Sequence, residues 1–159
     1  MQLLELLVVL IGCHAAPILV ARLLKNRYAW PIDGGRRAPD GQPWLGSSKT
    51  WRGLVSSLVF GILLGVWLGW GAAAGAVFAG LAMLGDLVSS YSKRRLKMES
   101  SAKATFLDQV PESLLPLGYA TLGLDYAFTD ALLALLGFFV FETQVSPLLF
   151  RLGIRARPH

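Results

Sequence analysis

The 159-residue chain contains a single cysteine, Cys13, and two histidines. One cysteine cannot form a disulfide within the chain, and so few ligands exclude a zinc site built from this chain alone. Lys and Arg are absent from the long apolar segments, because all fifteen fall into three clusters, Arg22 to Arg52, Lys93 to Lys103 and Arg151 to Arg157. No RNA-binding aromatic platform accompanies these clusters, so the net charge of +5 does not indicate a nucleic-acid partner.

Apolar residues dominate what is present. They make up 54% of the chain, and 17 glycines are spread through apolar stretches instead of forming a linker. The mean hydropathy is +0.53. A soluble chain of this length has no core large enough to hide so much apolar surface. Composition therefore predicts an integral membrane protein, whose partners are the bilayer with its anionic surface and phosphorylated ligands.

The apolar stretches predict an all-α, single-domain polytopic membrane protein with about five transmembrane helices. Threading them through a bilayer places all three basic clusters on one side, as the positive-inside rule requires. We therefore expect the N-terminus outside, the C-terminus in the cytoplasm, and cytoplasmic loops at about 25–52 and 92–105. The predicted spans cover residues 3–24, 53–70, 71–91, 106–124 and 129–150.

Small residues recur at every fourth position in the second and third spans. Such spacing lines one helix face and lets two backbones approach closely, as helices packed in lipid require. It predicts a tightly packed hairpin without a chemical role. The small residues are Gly61, Gly65 and Gly69 in the second span, and Gly71, Gly75 and Ala79 in the third.

The first cytoplasmic loop is rich in Pro, Gly and Asp, which form successive turns and present backbone N–H groups to phosphate oxygens. Lys49 and Arg52 are three residues apart at the start of the second span, so we expect both to project from one face of its first turn. A polyanion is the expected ligand. The run from Gly41 to Thr50 does not match a phosphate-binding P-loop, because its spacing is longer and no strand precedes it. A basic connector without a binding role is the alternative.

The end of the third span carries the chain's most informative carboxylate. At 100° per residue, Asp86, Ser90 and Lys93 share one helix face. An ionisable residue near the end of a transmembrane helix is costly and usually faces a protein cavity, so Asp86 is a functional candidate. A salt bridge from Asp86 to Lys93 or Arg94 that closes the helix end is the alternative.

Two carboxylates of the fourth span, Asp108 and Glu112, are four residues apart and would lie together on a helix. Carboxylates near a basic cluster resemble the oxygen ligands that Mg²⁺ uses when it also holds substrate phosphates. The prolines Pro111 and Pro116 interrupt this span, which makes it the weakest of the five.

The polar motifs together resemble the CDP-archaeol synthase family, small membrane cytidylyltransferases related to the CDP-diacylglycerol synthases. The resemblance runs from about Leu3 to Phe150. The motifs that carry it are Asp33-Gly34-Gly35, Asp40-Gly41, Gly46, Lys49-Thr50-Trp51-Arg52-Gly53, Gly85-Asp86, Ser90, Lys93-Arg94-Arg95 and Asp108-Gln109.

The resemblance implies an enzyme of phospholipid biosynthesis in the cell membrane, with its active site facing the cytoplasm. It implies Mg²⁺-dependent transfer of CMP from CTP to a lipid phosphate of the isoprenoid-ether or diacylglycerol type, giving a CDP-lipid and pyrophosphate. Catalytic roles fall to Asp86, Asp108 and Lys93, and the implied metal ligands are Asp86, Asp108 and Glu112. The implied nucleotide and phosphate contacts are Asp33, Gly34, Gly35, Lys49, Thr50, Arg52, Ser90 and Arg94.

The chain departs from the family pattern after Gln109. Pro111 stands where the family usually has a second Asp, and Glu112 stands where it has an aromatic residue. We expect Glu112 to replace the missing carboxylate one residue later. The segment between Lys97 and Lys103 also lacks the glycine expected there.

Two interpretations outside enzymology stay open at this stage. A small transporter or channel would need intramembrane polar groups, and Glu5, Asp86 and Glu142 qualify. Against it, the polar residues gather on one face of the membrane and no inverted repeat is present. A non-catalytic membrane scaffold is consistent with the altered segment after Gln109.

Overall fold

Five α-helices form the fold. The computed structural model describes residues 2–98 and 104–151, and the side chains of residues 2–98, 104 and 106–144. No β-strand occurs within those residues, and the all-α prediction is confirmed. The helices are α1 Gln2–Leu24, α2 Trp51–Trp67, α3 Ala72–Arg95, α4 Thr105–Gly123 and α5 Phe128–Arg151.

The glycine-poor stretch between Lys97 and Lys103 lies largely outside the described residues, as do the basic residues beyond Arg151. For the rest, helix bounds differ from the predicted spans by no more than four residues, at the end of α3. The fourth span, predicted to be the weakest, is one continuous helix that includes Pro111 and Pro116.

The helices carry large apolar side chains on their outer faces, with Leu122 90% and Trp67 75% exposed. Within the described residues, α1 and α3 are long and apolar enough to cross a membrane, and α2 is a shorter apolar helix. Helices satisfy their own backbone hydrogen bonds, so an apolar exterior on such a bundle is suited to contact with lipid.

Glycines bring α2 and α3 into backbone contact. A Cβ built on Gly61 would lie 2.5 Å from Cβ of Ala79, and one on Gly65 would lie 2.6 Å from Cα of Gly75. Real Cβ atoms do not approach that closely, so only glycine fits at Gly61 and Gly65. The predicted small-residue hairpin is confirmed.

Three side chains from three segments fix the end of the bundle at which α1 begins. The Tyr126 hydroxyl donates to Glu5 Oε2 of α1 at 2.6 Å, and Trp70 Nε1 donates to the Tyr126 hydroxyl at 2.8 Å. Burial and the bond to Glu5 raise the pKa of Tyr126 to about 12. This cluster joins α1, the α2–α3 turn and the α4–α5 connection.

The two described basic stretches, residues 22–52 and 93–97, meet at the opposite end, called here the basic end. Arg95 Nη1 of α3 donates to Asp40 Oδ2 of the first loop at 2.6 Å. Arg52 Nη1 of α2 donates to the carbonyl oxygens of Lys25 and Arg27 at 2.6 Å each. Two of the three basic clusters therefore lie on one side of the fold, as their sequence pattern predicts.

Candidate functional site

A partly buried ion pair joins the first loop to α3. Lys49 Nζ lies 2.5 Å from both carboxylate oxygens of Asp86. The backbone of Lys49 is fixed because its carbonyl accepts from Ile32 N at 2.8 Å and the next residue, Thr50, bridges to Pro31. Burial lowers the pKa of Lys49, but the Asp86 carboxylate outweighs it and holds that pKa above its usual value. The side chain therefore stays a cation inside the protein.

Asp86 has a second carboxyl neighbour, because α3 and α4 touch at Gly85. A Cβ on Gly85 would overlap the carbonyl oxygen of Pro111, so the two backbones are in direct contact there. Glu112, the next residue of α4, interacts directly with Asp86. The close contact of α3 with α4 thus brings Glu112 to Asp86.

Asp108, the other predicted carboxylate of α4, forms its own cluster one turn earlier. Its Oδ1 lies 2.7 Å from Lys93 Nζ and accepts from Ser89 Oγ at 2.6 Å. Its Oδ2 accepts from Ala104 N at 3.1 Å, which fixes the start of α4. Asp108 also exerts an electrostatic attraction on Lys49, so the two clusters share one electrostatic environment.

Asp33 organises the first loop. Its carboxylate accepts from the backbone N–H groups of Gly35, Leu45 and Gly46, each at 2.9 Å. Burial raises the pKa of Asp33, but these three hydrogen bonds outweigh it and hold the pKa below its usual value. Gly34 has a φ of +58°, which favours glycine. Asp33 therefore shapes the loop with its own side chain.

A cavity of about 540 Å³ lies on the loop beside Asp33. Its volume falls in the range of small-ligand sites. The cavity is lined by Ile32, Asp33, Gly34, Arg36, Trp44 and Leu45.

Three residues in this region were not predicted as site residues. Arg95 packs over Tyr91 at 5.2 Å and also bonds the carbonyl of Pro43 at 2.9 Å, while Trp44 and Tyr91 stack with centroids 5.8 Å apart. Arg95 stood in the basic run of the sequence, but nothing there showed that it joins α3 to the first loop. Its contact is long-range, and such contacts leave no local periodicity.

Five of the predicted site residues form two neighbouring clusters. Lys49, Asp86 and Glu112 form one buried cluster, and Lys93 with Asp108 forms another beside it. Ser90 and Arg94 are also buried at the basic end, each only 3% exposed. The carboxylate of Asp108 attracts the guanidinium group of Arg94 electrostatically.

Two residues that the resemblance implies as phosphate contacts, Thr50 and Arg52, also have structural roles. The Thr50 hydroxyl accepts from Gly53 N at 3.3 Å and caps α2. Arg52 bonds the carbonyls at the end of α1. The expectation that Lys49 and Arg52 share one face of the first turn is wrong, because α2 begins at Trp51 and Lys49 lies before its cap.

The oxygen donors fit a divalent cation in part. Asp86 and Glu112 provide two adjacent carboxyl groups, and a cation between them would relieve their repulsion. Among the residues with described side chains, no three His, Cys, Asp or Glu groups stand ready to hold a metal ion. Lys49 occupies both oxygens of Asp86, and Lys93 with Ser89 occupies Asp108.

Several known proteins resemble this chain, although no family model matches it. A CDP-archaeol synthase from Hyperthermus butylicus is 37% identical over 106 residues, which cover 63% of this chain and 60% of that protein. A second relative from Thermofilum pendens is matched over 50% of its length, so the chain spans about half to three fifths of these relatives.

Two comparisons extend over nearly the whole chain. One solved structure, described as an intramembrane enzyme for archaeal membrane lipid biosynthesis, superposes with a TM-score of 0.68 at 26% identity, covering 87% of this chain and 90% of that one. A CDP-archaeol synthase from Thermococcus kodakarensis is 31% identical over 164 residues, covering 91% of this chain and 88% of the relative. By this likeness over nearly the whole chain, and with its apolar helices, this membrane protein belongs to the CDP-archaeol synthase family.

Proposed function

We propose that this protein transfers CMP from CTP to a membrane lipid phosphate, giving a CDP-lipid and pyrophosphate. The Lys49–Asp86 ion pair carries the proposal, because it joins the two basic stretches around buried carboxylates. Family membership supports the reaction class. The name of the relatives, CDP-archaeol synthase, favours an isoprenoid-ether lipid as the acceptor, and a diacylglycerol phosphate is the second acceptor to test.

The reaction needs cations more than it needs a side-chain nucleophile. An oxygen of the lipid phosphate attacks the α-phosphorus of CTP, the bond to the bridging oxygen breaks, and pyrophosphate leaves with that electron pair. Both reactants are anions. Lys49, Lys93 and Arg94 are placed to reduce their repulsion through charge-assisted hydrogen bonds. We assign Ser90 to orienting a phosphate oxygen.

The carboxylates would hold Mg²⁺. Asp86 and Glu112 are its first candidates, and Asp108 would join them when Lys93 turns from it to a phosphate. Mg²⁺, when bound, would neutralise charge that develops on the departing pyrophosphate. In this structure the Lys49 ammonium contacts the Asp86 oxygens that would bind Mg²⁺. We expect Lys49 to leave Asp86 and bind the triphosphate when the metal is present.

The first loop supplies the remaining contacts. The Asp33 turn, which Gly35 N–H helps to close, holds Gly34 on the wall of the cavity, which is large enough for part of a nucleotide. Thr50 and Arg52 support this site indirectly by fixing the start of α2. With the basic end facing the cytoplasm, the N-terminus lies outside and CTP reaches the site directly.

The position of Glu5 weighs against a transporter. Glu5 accepts a hydrogen bond from Tyr126 at the end opposite Asp86, so a structural role, and not transport, accounts for this acid in α1. A passive scaffold would not need the paired cations of the basic end, Lys49 and Lys93.

An assay of the purified protein tests the proposal. Labelled CTP, Mg²⁺ and a panel of isoprenoid-ether, diacyl and single-chain lipid phosphates are supplied, and CDP-lipid and pyrophosphate are measured. We expect equal amounts of both products with at least one lipid. Absence of both products across the panel would overturn the proposed function.

A further inference from the structure

His14 of α1 has one buried ring nitrogen that makes no hydrogen bond. Its Nδ1 lies 2.8 Å from the carbonyl oxygen of Leu10, which can only accept, so Nδ1 carries a proton. Nε2 is buried, makes no hydrogen bond and lies 3.6 Å from Glu112 Oε2. The His14 side chain is 10% exposed and that of Glu112 12%. In the neutral ring, the unprotonated Nε2 therefore lies beside the carboxyl group of Glu112, the neighbour of Asp86.

This hydrogen bond pattern is typical of metal-binding histidine. A ligating histidine usually donates its other ring N–H to a carboxylate or a backbone carbonyl, which fixes the ring and its tautomer. The Leu10 carbonyl does this for His14. The ring of Phe138 packs 5.1 Å away from α5 and restricts the imidazole further. His14 is thus held with its free nitrogen in place.

We propose that His14 supplies a nitrogen ligand to the divalent cation held by Asp86 and Glu112. The inference rests on the proposed function and deepens it. In the described structure the Lys49 ammonium occupies both oxygens of Asp86, so the three donors do not yet surround one point. Release of Lys49 to a triphosphate frees Asp86 to complete the set.

The donor set predicts which metal is preferred. Oxygen ligands alone suit Mg²⁺, whereas imidazole binds first-row transition metals better. One imidazole nitrogen with two carboxylates should therefore favour Mn²⁺ over Mg²⁺. We expect Mn²⁺ to bind at least about tenfold more tightly.

Electron paramagnetic resonance of Mn²⁺ tests the assignment without any turnover. Mn²⁺ is added to the full-length protein in detergent, free Mn²⁺ is quantified, and pulsed spectra are examined for coupling to ¹⁴N. We expect one bound Mn²⁺ with imidazole nitrogen coupling. His14→Gln should remove the coupling and weaken Mn²⁺ binding roughly 10- to 100-fold. Binding of Mg²⁺, measured by competition, should change much less.

The chain supplies its own control, because His159 is its only other histidine. His159→Gln should keep both the coupling and the affinity. Bound Mn²⁺ without nitrogen coupling in the wild type would overturn the assignment, as would coupling that survives His14→Gln or a lack of Mn²⁺ binding. If His14→Gln does not fold, the spectrum of His159→Gln tests the assignment, because nitrogen coupling from imidazole in that variant can come only from His14. Nitrogen coupling in a protein that makes no CDP-lipid would overturn the proposed function and leave the ligand assignment intact.

Discussion

Gly85 and Pro111 are in backbone contact between α3 and α4, so that a Cβ on Gly85 would overlap the Pro111 carbonyl oxygen. Asp86 and Glu112 are the next residues along each helix, and the contact sets their carboxyl groups side by side. The missing side chain at Gly85 therefore determines the geometry of the site.

Gly85→Ala should separate the two carboxyl groups. The clash is with backbone, which cannot rotate away, and overpacking of this kind costs about 1–3 kcal/mol. We expect a lower thermal unfolding midpoint and roughly tenfold or greater loss of turnover. Gly80→Ala on the same helix is the control, since its Cβ would lie 3.9 Å from a Leu58 methyl group. Equal behaviour of the two variants would contradict this account of the contact.

Lys49→Met and Lys93→Met test the cations. Each removes an ammonium group from a buried carboxylate and from the proposed phosphate site while keeping most of the side-chain volume. Loss of one such stabilising group typically lowers turnover roughly 10²- to 10³-fold. Lys97→Met removes an exposed charge at the same end and should leave CDP-lipid formation nearly unchanged. Similar rates for all three variants would refute the assignment.

Asp33 makes the first loop sensitive to acid. Because the folded-state pKa of Asp33 lies below its ordinary value of 3.8, the ionised carboxylate stabilises the loop above that pH. This stabilisation is lost as the pH falls through the folded-state pKa. Relative to an unfolded substrate at the same pH, pepsin should therefore cut the loop slowly at about pH 4 and faster at a pH well below 3.8.

Asp33→Asn should be cut quickly at both pH values, because an amide cannot accept three N–H groups as strongly. Asp125→Asn is the matched control at the opposite end of the bundle. Slow cleavage of Asp33→Asn at the higher pH would show that the carboxylate does not hold the loop.

Tyr126 should make the bundle sensitive to alkali. Its folded-state pKa of about 12 exceeds the ordinary value of 10.0, so the neutral phenol contributes stability that is complete below pH 10. That contribution is lost between pH 10 and 12, where the unfolded chain ionises first. The unfolding midpoint of the wild type should therefore fall more steeply over this interval than that of Tyr126→Phe. Parallel curves would exclude the role of Tyr126.

The helices were predictable because local patterns encode them. Apolar length gives the spans, and the spacing of Gly61, Gly65 and Gly75 gives the α2–α3 contact. Asp86 was also predictable, since a carboxylate near the end of an apolar helix is costly unless it has a function.

The partners of these residues were not predictable. The sequence places Asp86 and Lys93 on one helix face, yet the ammonium partner of Asp86 is Lys49, 37 residues earlier. Arg52 was expected beside Lys49, and the position of the Thr50 cap separates them. The sequence did not show that His14 lies beside Glu112. That contact forms because α4 passes close to α1, and tertiary contacts of this kind have no sequence period.

The rate of CDP-lipid formation by Asp86→Asn, measured beside Asp125→Asn, tests the central claim most directly. Both variants remove one carboxylate charge, and Asn tolerates the positive φ of 57° at position 125. Asp86 is in the proposed reaction centre, whereas Asp125 lies at the far end and is exposed. We expect Asp86→Asn to lose turnover while remaining folded in the membrane, and Asp125→Asn to match the wild type. Wild-type turnover by Asp86→Asn would contradict the account.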